Sequence, residues 1–458
     1  MRPAKLAFPE SDSVWRGILV LSGANADFHL SGQDSSDVTA SKRCLLVTTT
    51  VLESESPRVP RQLTVLTSMG IEVSTLEPVP IYLGRGTRVA YSRKLSNLPV
   101  ESLSRNFIPM YTVPVGSWSA EGGTRQKILL VLLEPLLIGL DTLLLLAKST
   151  AMILRHRPDF VLALNAPDTG PLVVRMVTSL TGTPYVYACR DPAPLLYSQI
   201  IKQYSPRLAN YVRYPLNKIE GIAAKGAKFV ITVGNAMSRY FGLRYGLTNC
   251  VAIYGSVPLG EARIKRQIGE SRPFTMVLTG TVGSKVFDID LLLAAISRCI
   301  LDGYHVRLKV IGSVEPDLKS KLSDFAESVE ILNWRPWDEY MAILKNECDA
   351  GVIPLRATEF ADLVTPNKLF DYLAAGLPVI GPRLAGISEV VQDDLNGILY
   401  TPESADSLYL AILRLIDPTT RLRLGETSRR LFESDYNEGV QMDKFRALVS
   451  QIIKRSQE

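Results

Sequence analysis

The run from Val364 to Tyr400, VTPNKLFDYLAAGLPVIGPRLAGISEVVQDDLNGILY, constrains the architecture more than any other part of the chain. It reads as loop, helix, strand, loop, helix and short strand. Thr365 suits a helix N-cap, and Pro366 suits the first turn, where its missing N–H costs nothing. Leu369, Tyr372 and Leu373 recur at helical spacing, and Gly376 fits the left-handed residue that closes a helix. Pro378-Val379-Ile380 then reads as a buried strand, Gly381-Pro382 turns the chain, and a second helix is expected to open at Ser388-Glu389. Two helix starts in one short segment, each with free N–H groups and a positive dipole end, are a physical recipe for holding a diphosphate. Lys368 adds a cation in the first turn, and Asp371 one turn on is placed to accept hydrogen bonds from sugar hydroxyls such as a ribose pair. Spacing alone is met equally well by an ordinary α/β/α unit with capped helices.

The order P-N-K-L-F-D-Y-L-A-A-G-L-P-V-I-G, followed by G-I-S-E-V-V and N-G-I-L-Y, resembles the nucleotide-sugar-binding segment of family 4-like glycosyltransferases (group 1) of the GT-B fold. The resemblance implies donor-binding roles for Thr365, Asn367, Lys368, Asp371 and Glu389. In those enzymes the residue matching Asp371 is normally Glu, binds the donor ribose, and is the second Glu of an E-x7-E pattern. This chain departs twice: Asp replaces Glu, and Leu363 stands in place of the first Glu, with Glu359 and Asp362 nearby but out of register. A P-x-K-x-x-(E/D)-Y variant occurs among members acting on lipid-linked sugars.

At 458 residues the chain exceeds one ordinary core, so two domains of roughly 200 residues are expected. A net charge of +5 does not suggest a nucleic-acid binder, and it is compatible with an anionic membrane surface or phosphate-bearing substrates. Cys44, Cys189, Cys250, Cys299 and Cys348 stand singly without a C-x-x-C pair, which favours reduced, buried thiols over disulfides or zinc. His29, His156 and His305 are equally scattered, so no metal site is expected. The N-terminus lacks a signal-peptide pattern, and the expected location is cytoplasmic.

Residues 1–41 read as a poorly ordered extension. The apolar strand at Cys44–Thr48, a helix carrying Leu63, Leu66 and Met69, and the strand Ile71–Leu76 form a parallel crossover, the start of a Rossmann-like half. Arg58 and Arg61 stand at that helix start, facing either a ligand or solvent. Ile128 to Leu154 is the most apolar stretch, and Lys127, Glu134, Asp141, Lys148 and Arg155 recur every seven residues as one narrow polar stripe. Pro135 is a potential break in this helix. Two acids near its middle nearly cancel its apolar insertion energy, so it is expected to lie partly on the domain and partly in a membrane interface rather than to span.

Polar residues just past strand ends are where open α/β sheets bind ligands, which marks Asn165, Asp168, Arg190 and Asp191 on the acceptor side. The R-D-P-A-P run resembles the R-D-x-x-P of bacterial family 4 members that use polyprenyl-diphosphate acceptors. The R-P-D-x-V…N-x-P order resembles lipid-linked-oligosaccharide mannosyltransferases. Asp191 is a candidate base, and loop capping is the competing reading. The second half restarts with the strand Phe274–Leu278 and a glycine loop, Thr279 to Lys285. There Gly280, Thr281 and Gly283 let backbone approach an anion, and Lys285 supplies charge. As the first loop of a second Rossmann half it resembles the family's G-x-x-x-x-K diphosphate site. Arg335 follows a strand whose turn, in relatives, lies against the nucleotide base.

The expected fold class is α/β, a GT-B fold of two Rossmann-like domains with parallel sheets facing a central cleft. Its parts would be an N-terminal acceptor domain (42–260), a linker (261–272), a nucleotide-sugar domain (273–440) and a final helix (441–458), which in relatives often crosses back. The expected function is transfer of a sugar from a nucleotide-sugar donor to a lipid-linked, polyprenyl-diphosphate acceptor at the cytosolic membrane face, without metal or cofactor. Arg190, Asp191, Lys285 and Lys368 are the candidate catalytic residues. A nucleotide-sugar epimerase of the same fold and a non-catalytic scaffold for a partner glycosyltransferase are the alternatives.

Overall fold

A computed structural model describes residues 41–48, 58–80, 103–110, 124–164, 169–202, 205–260, 272–283 and 285–455. The expected extension up to residue 40, Asn165, Asp168 and linker residues 261–271 lie outside them. The chain divides into two units. An N-terminal unit comprises Thr39–Gly255, Thr358–Thr365 and Gly439–Glu458, and a C-terminal unit contains Ser256–Ala357 and Pro366–Glu438.

In chain order the first elements are β1 (Arg43–Val47), α1 (Arg58–Ser68), β2 (Glu72–Pro80), β3 (Ser104–Met110), α2 (Thr124–His156), β4 (Phe160–Leu164) and α3 (Gly170–Thr181). Next come β5 (Tyr185–Ala188), α4 (Ala193–Lys202), α5 (Pro206–Gly226), β6 (Phe229–Thr232), α6 (Asn235–Tyr245) and β7 (Cys250–Ala252). They are followed by β8 (Phe274–Val282), α7 (Ile289–Leu301), β9 (Val306–Val314), α8 (Pro316–Ser323), β10 (Val329–Leu332), α9 (Trp337–Glu347), β11 (Ala350–Val352), α10 (Glu359–Leu363) and α11 (Asn367–Ala374). The chain ends with β12 (Val379–Pro382), α12 (Ala385–Ser388), β13 (Gly397–Tyr400), α13 (Ala405–Ile416), α14 (Pro418–Leu431), a π-helical turn and α15 (Glu438–Arg455).

The N-terminal sheet is parallel, in the order β3-β2-β1-β4-β5-β6-β7. Both of its faces are covered, which is why its strands are continuous apolar runs. Successive residues alternate between two cores. Leu45, Val47, Val161, Ala163, Tyr185 and Tyr187 pack with residues of α2, α3 and α6. Cys44, Leu46, Phe160, Leu162, Val186 and Ala188 pack with α1 and with Met442, Phe445, Leu448, Val449 and Ile452 of α15. At the β2–β3 edge, Glu77 is fully buried and is gripped by Arg105 through Nε (2.8 Å) and Nη2 (2.5 Å), while Thr75 Oγ1 donates at 2.7 Å.

Two expectations about the apolar helix are corrected. α2 passes through Pro135 unbroken from Thr124: one lost backbone bond is offset by the seating of Leu145, Met152 and Ile153 in the sheet core. The heptad charges do not share one solvated stripe, because Asp141 is buried whereas Lys148 and Arg155 are exposed beside Leu143 and Leu154. Among the described residues no helix is long and apolar enough to cross a membrane.

The C-terminal sheet runs β10-β9-β8-β11-β12-β13, again all parallel. The order reverses between β8 and β11, the crevice where such sheets take ligands. The expected loop from Thr279 is corrected here. β8 continues to Val282, and Gly280 and Thr281 pair with Gly312 and Ser313 of β9.

Candidate functional site

The C-terminal site is built on the end of β8. Gly280 sits at φ +103° and Gly312 at φ +136°, and a Cβ on Gly312 would lie 2.2 Å from the Gly280 carbonyl oxygen. Only glycine allows this approach, which leaves bare backbone at the sheet's mouth.

α11 aims its N-terminus at the same edge and brings three polar side chains to it. Tyr372 is fully buried, and its hydroxyl accepts from the Thr279 N–H at 3.0 Å. One turn nearer the mouth, Lys368 places Nζ over the Phe287 ring at 4.2 Å, and a Cβ on Gly280 would lie 3.4 Å from that Nζ. Burial pulls its pKa down to about 7, with Asp371 working in the opposite direction. Half-buried Asp371 accepts from the Tyr340 hydroxyl of α9 at Oδ2 (2.9 Å), and that hydroxyl also lies 3.3 Å from Thr279 Oγ1. The result is a continuous chain from β8 through α9 to α11, with a carboxylate and a poorly solvated amine at its open end.

Among the expected donor residues, Gly280, Lys368 and Asp371 therefore come together. Thr281 is exposed, and its Oγ1 accepts from Ser313 Oγ at 3.1 Å. Gly283 follows β8, and Lys285 is exposed two residues before Phe287. Arg335 and Asn367 are also exposed, while Glu389 caps the C-terminus of α12. Two expectations are corrected. Pro366, held extended at ψ 136°, is the N-cap of α11, and Thr365 is buried within the N-terminal unit. The second helix spans Ala385–Ser388 and ends where it was expected to begin, because Leu384 is already extended ahead of it. A four-residue helix offers little dipole, so α11 alone supplies a substantial helix N-terminus in this segment. Phe287 and Tyr340 were not singled out from sequence, Thr279 stood there only as the start of the glycine loop, and Tyr372 only as an apolar helix position and the last residue of the P-x-K-x-x-(E/D)-Y run. Nothing in their local pattern marks the hydrogen-bond network they make.

The N-terminal unit gathers a second polar group past the end of β5. Burial holds the Asp191 carboxyl above its usual range, with Arg190 and Arg58 pulling it back. Arg58, the first residue of α1, is itself lowered to about 10, chiefly by burial and then by Arg190. Behind them Glu220 of α5 is buried, accepts from Ala193 N–H (3.1 Å) and Tyr245 OH (2.7 Å), and is raised to about 7 by desolvation. Glu220 lines a small crevice with Tyr187, Leu216 and Ile219. Among the described residues no cluster of three or more His, Cys, Asp or Glu side chains could hold a metal ion.

The family described as Glycosyl transferases group 1 matches residues 273–418, from β8 to the start of α14. The match covers about a third of the chain and, apart from Thr358–Thr365, lies within the C-terminal unit. It contains the whole Thr279–Tyr340–Lys368–Asp371 network. The chain is 28% identical over 107 residues to the amylovoran biosynthesis glycosyltransferase AmsK of Erwinia amylovora, covering 23% of this chain and 26% of that protein. It is 27% identical over 147 residues to the uncharacterized glycosyltransferase MJ1178 of Methanocaldococcus jannaschii, covering 31% and 38%. The matches thus span about a quarter to two fifths of the length of these curated relatives. Among solved structures, Anabaena Alr3699/HepE in complex with UDP superposes with a TM-score of 0.59 at 14% identity, over 89% of this chain and 100% of that one. The chain thus has the GT-B fold, as the sequence resemblance implied.

Proposed function

We propose that the protein is a glycosyltransferase that takes a sugar from a nucleoside-diphosphate sugar held by the C-terminal unit. The observation that carries this reading is the half-buried amine of Lys368 at the mouth of α11, beside the bare Gly280 backbone and the Tyr340-tethered Asp371. An incoming diphosphate would convert that amine to a paired ammonium, and Asp371 would accept from the ribose hydroxyls. The solved complexes of Anabaena Alr3699/HepE with UDP and with UDP-glucose support a donor of this class.

Transfer breaks the bond between the anomeric carbon and the diphosphate oxygen, and forms one to an acceptor oxygen, whose proton must leave. Lys368, the α11 N-terminus and Lys285 would stabilise the departing diphosphate without a metal. Asp191, held above the usual carboxylate range, would take the proton, with Arg190 beside it. The acceptor is a lipid-linked saccharide presented at a cytosolic membrane surface. The exposed Leu143 and Leu154 of α2, with Lys148 and Arg155 nearby, support contact with an anionic bilayer.

The test is transfer of radiolabelled sugar from a panel of nucleotide sugars into an organic-extractable polyprenyl-diphosphate saccharide. Label should move to the lipid phase with the wild type and fall at least a hundredfold with Asp371→Ala or Asp191→Asn. Label that stays water-soluble with every donor, or variants as active as wild type, would reject the reading.

A further inference from the structure

α1 begins against its own dipole. Its first turn holds Arg58 and Arg61 and no acidic residue, although a helix N-terminus favours anions and repels cations. α4 shows the ordinary solution, with its Ala193 N–H answered by the Glu220 carboxylate. The sheet brings a third cation to α1. β1 and β5 both flank β4, so the start of α1 and Arg190, two residues past β5, arrive at the same strand-end edge. Arg58 feels the charges of Arg190, Asp191 and Arg61. One turn along α1 from Arg58, Gln62 is 1% exposed, and neither its amide nitrogen nor its amide oxygen has a hydrogen-bond partner among the described residues. Helical side chains lean toward the N-terminus, so this amide is aimed at the turn that carries Arg58. A buried amide without partners, beside a helix start loaded with guanidinium groups, is the signature of a site completed by an anion.

We propose that the α1 N-terminus, Arg58, Arg61, Arg190 and the Gln62 amide form a diphosphate site that holds the phosphates of the lipid-linked acceptor. This assignment to the acceptor rests on the glycosyltransferase reading. The diphosphate chemistry is shared with the donor, so the test must separate the two.

Inorganic pyrophosphate, geranyl diphosphate and UDP are titrated calorimetrically into the full chain, as wild type and as Lys368→Ala, Arg58→Gln, Arg190→Gln and Gln62→Leu. Pyrophosphate and geranyl diphosphate should still bind the Lys368 variant and should lose at least tenfold affinity when either arginine variant is added to it, while UDP affinity in the single arginine variants stays within twofold of wild type. Gln62→Leu should raise the melting temperature and weaken pyrophosphate binding together, which a damaged fold could not produce. Pyrophosphate binding to Lys368→Ala that persists when Arg58→Gln or Arg190→Gln is added, or that is absent from Lys368→Ala itself, would overturn the site. UDP weakened in parallel with pyrophosphate in the arginine variants would overturn the acceptor assignment and give these arginines to the donor. Pyrophosphate bound through the arginines, with no UDP bound by any form, would support the anion site while sinking the nucleotide-sugar reading.

Discussion

Lys368 is an amine whose charge depends on what stands next to it. In the ligand-free fold it gives up its proton near pH 7, whereas in the unfolded chain it keeps it to about 10.4. The unfolded state therefore binds more protons across that window, and this residue makes the ligand-free protein more stable as pH rises from 7 toward 10. Nucleoside diphosphate favours the ammonium, so its affinity should fall above pH 7, by at most about tenfold per unit, with a proton taken up on binding. Calorimetry of UDP binding in two buffers of different ionisation enthalpy reads that proton directly. An identical apparent enthalpy in both buffers at pH 8 would contradict it. Tyr340→Phe removes a hydroxyl that tethers Asp371, a bond to a charged group worth about 1.5–3 kcal/mol. Nucleotide-sugar affinity should drop about tenfold or more, while pyrophosphate, which makes no ribose contact, binds as before.

At the scale of elements, Glu220 joins α4, α5 and α6 through the Ala193 N–H and the Tyr245 hydroxyl. Its folded pKa of about 7 lies above the usual 4.3, so the folded state binds more protons between those values and stability falls as pH rises through them. Glu220→Gln keeps an acceptor for Ala193 without the charge. It should stabilise the protein by about 1–3 kcal/mol at pH 8 and by much less at pH 4.5, at about 1.4 kcal/mol per unit. Denaturant melts at the two pH values check this. The sheets themselves were legible. Cys44-Leu45-Leu46-Val47 and Phe160–Leu164 are apolar on both sides because both faces are covered, and Gly376 does take φ +66° at the end of α11. Helix boundaries were less so. Thr365 is a good N-cap by type, yet burial removes it from that position, and Pro366 takes the place. The tether of Asp371 was not legible at all. Thr279, Tyr340 and Asp371 lie on three elements, and hydrogen bonds between side chains so far apart in sequence leave no periodic trace.

At the scale of the whole chain, the last helix belongs to the first sheet. Five buried apolar side chains of α15 cover the face that carries Cys44, Leu46 and Phe160, and Gln441 Oε1 accepts from the Tyr254 N–H at 3.0 Å. At about 1.5–3 kcal/mol per side chain, that cover is comparable to the whole stability of a domain. A chain ending at Asn437 should therefore lose the cooperative unfolding transition of the N-terminal unit, seen as a missing step in differential scanning calorimetry. Retention of both transitions would contradict that assignment. The claim on which function rests is narrower, that the Gly280–Lys368–Asp371 mouth takes a nucleoside diphosphate sugar. Its direct test is a thermal-shift panel of UDP, GDP, ADP and their sugars on the wild type, Lys368→Ala and Asp371→Ala. A site-specific ligand at a hundredfold excess over its Kd stabilises by about 2.7 kcal/mol, a readily visible shift. The expected result is a shift with one base class, abolished in both folded variants. A folded wild type that responds to none of them, or variants that respond equally, would contradict it.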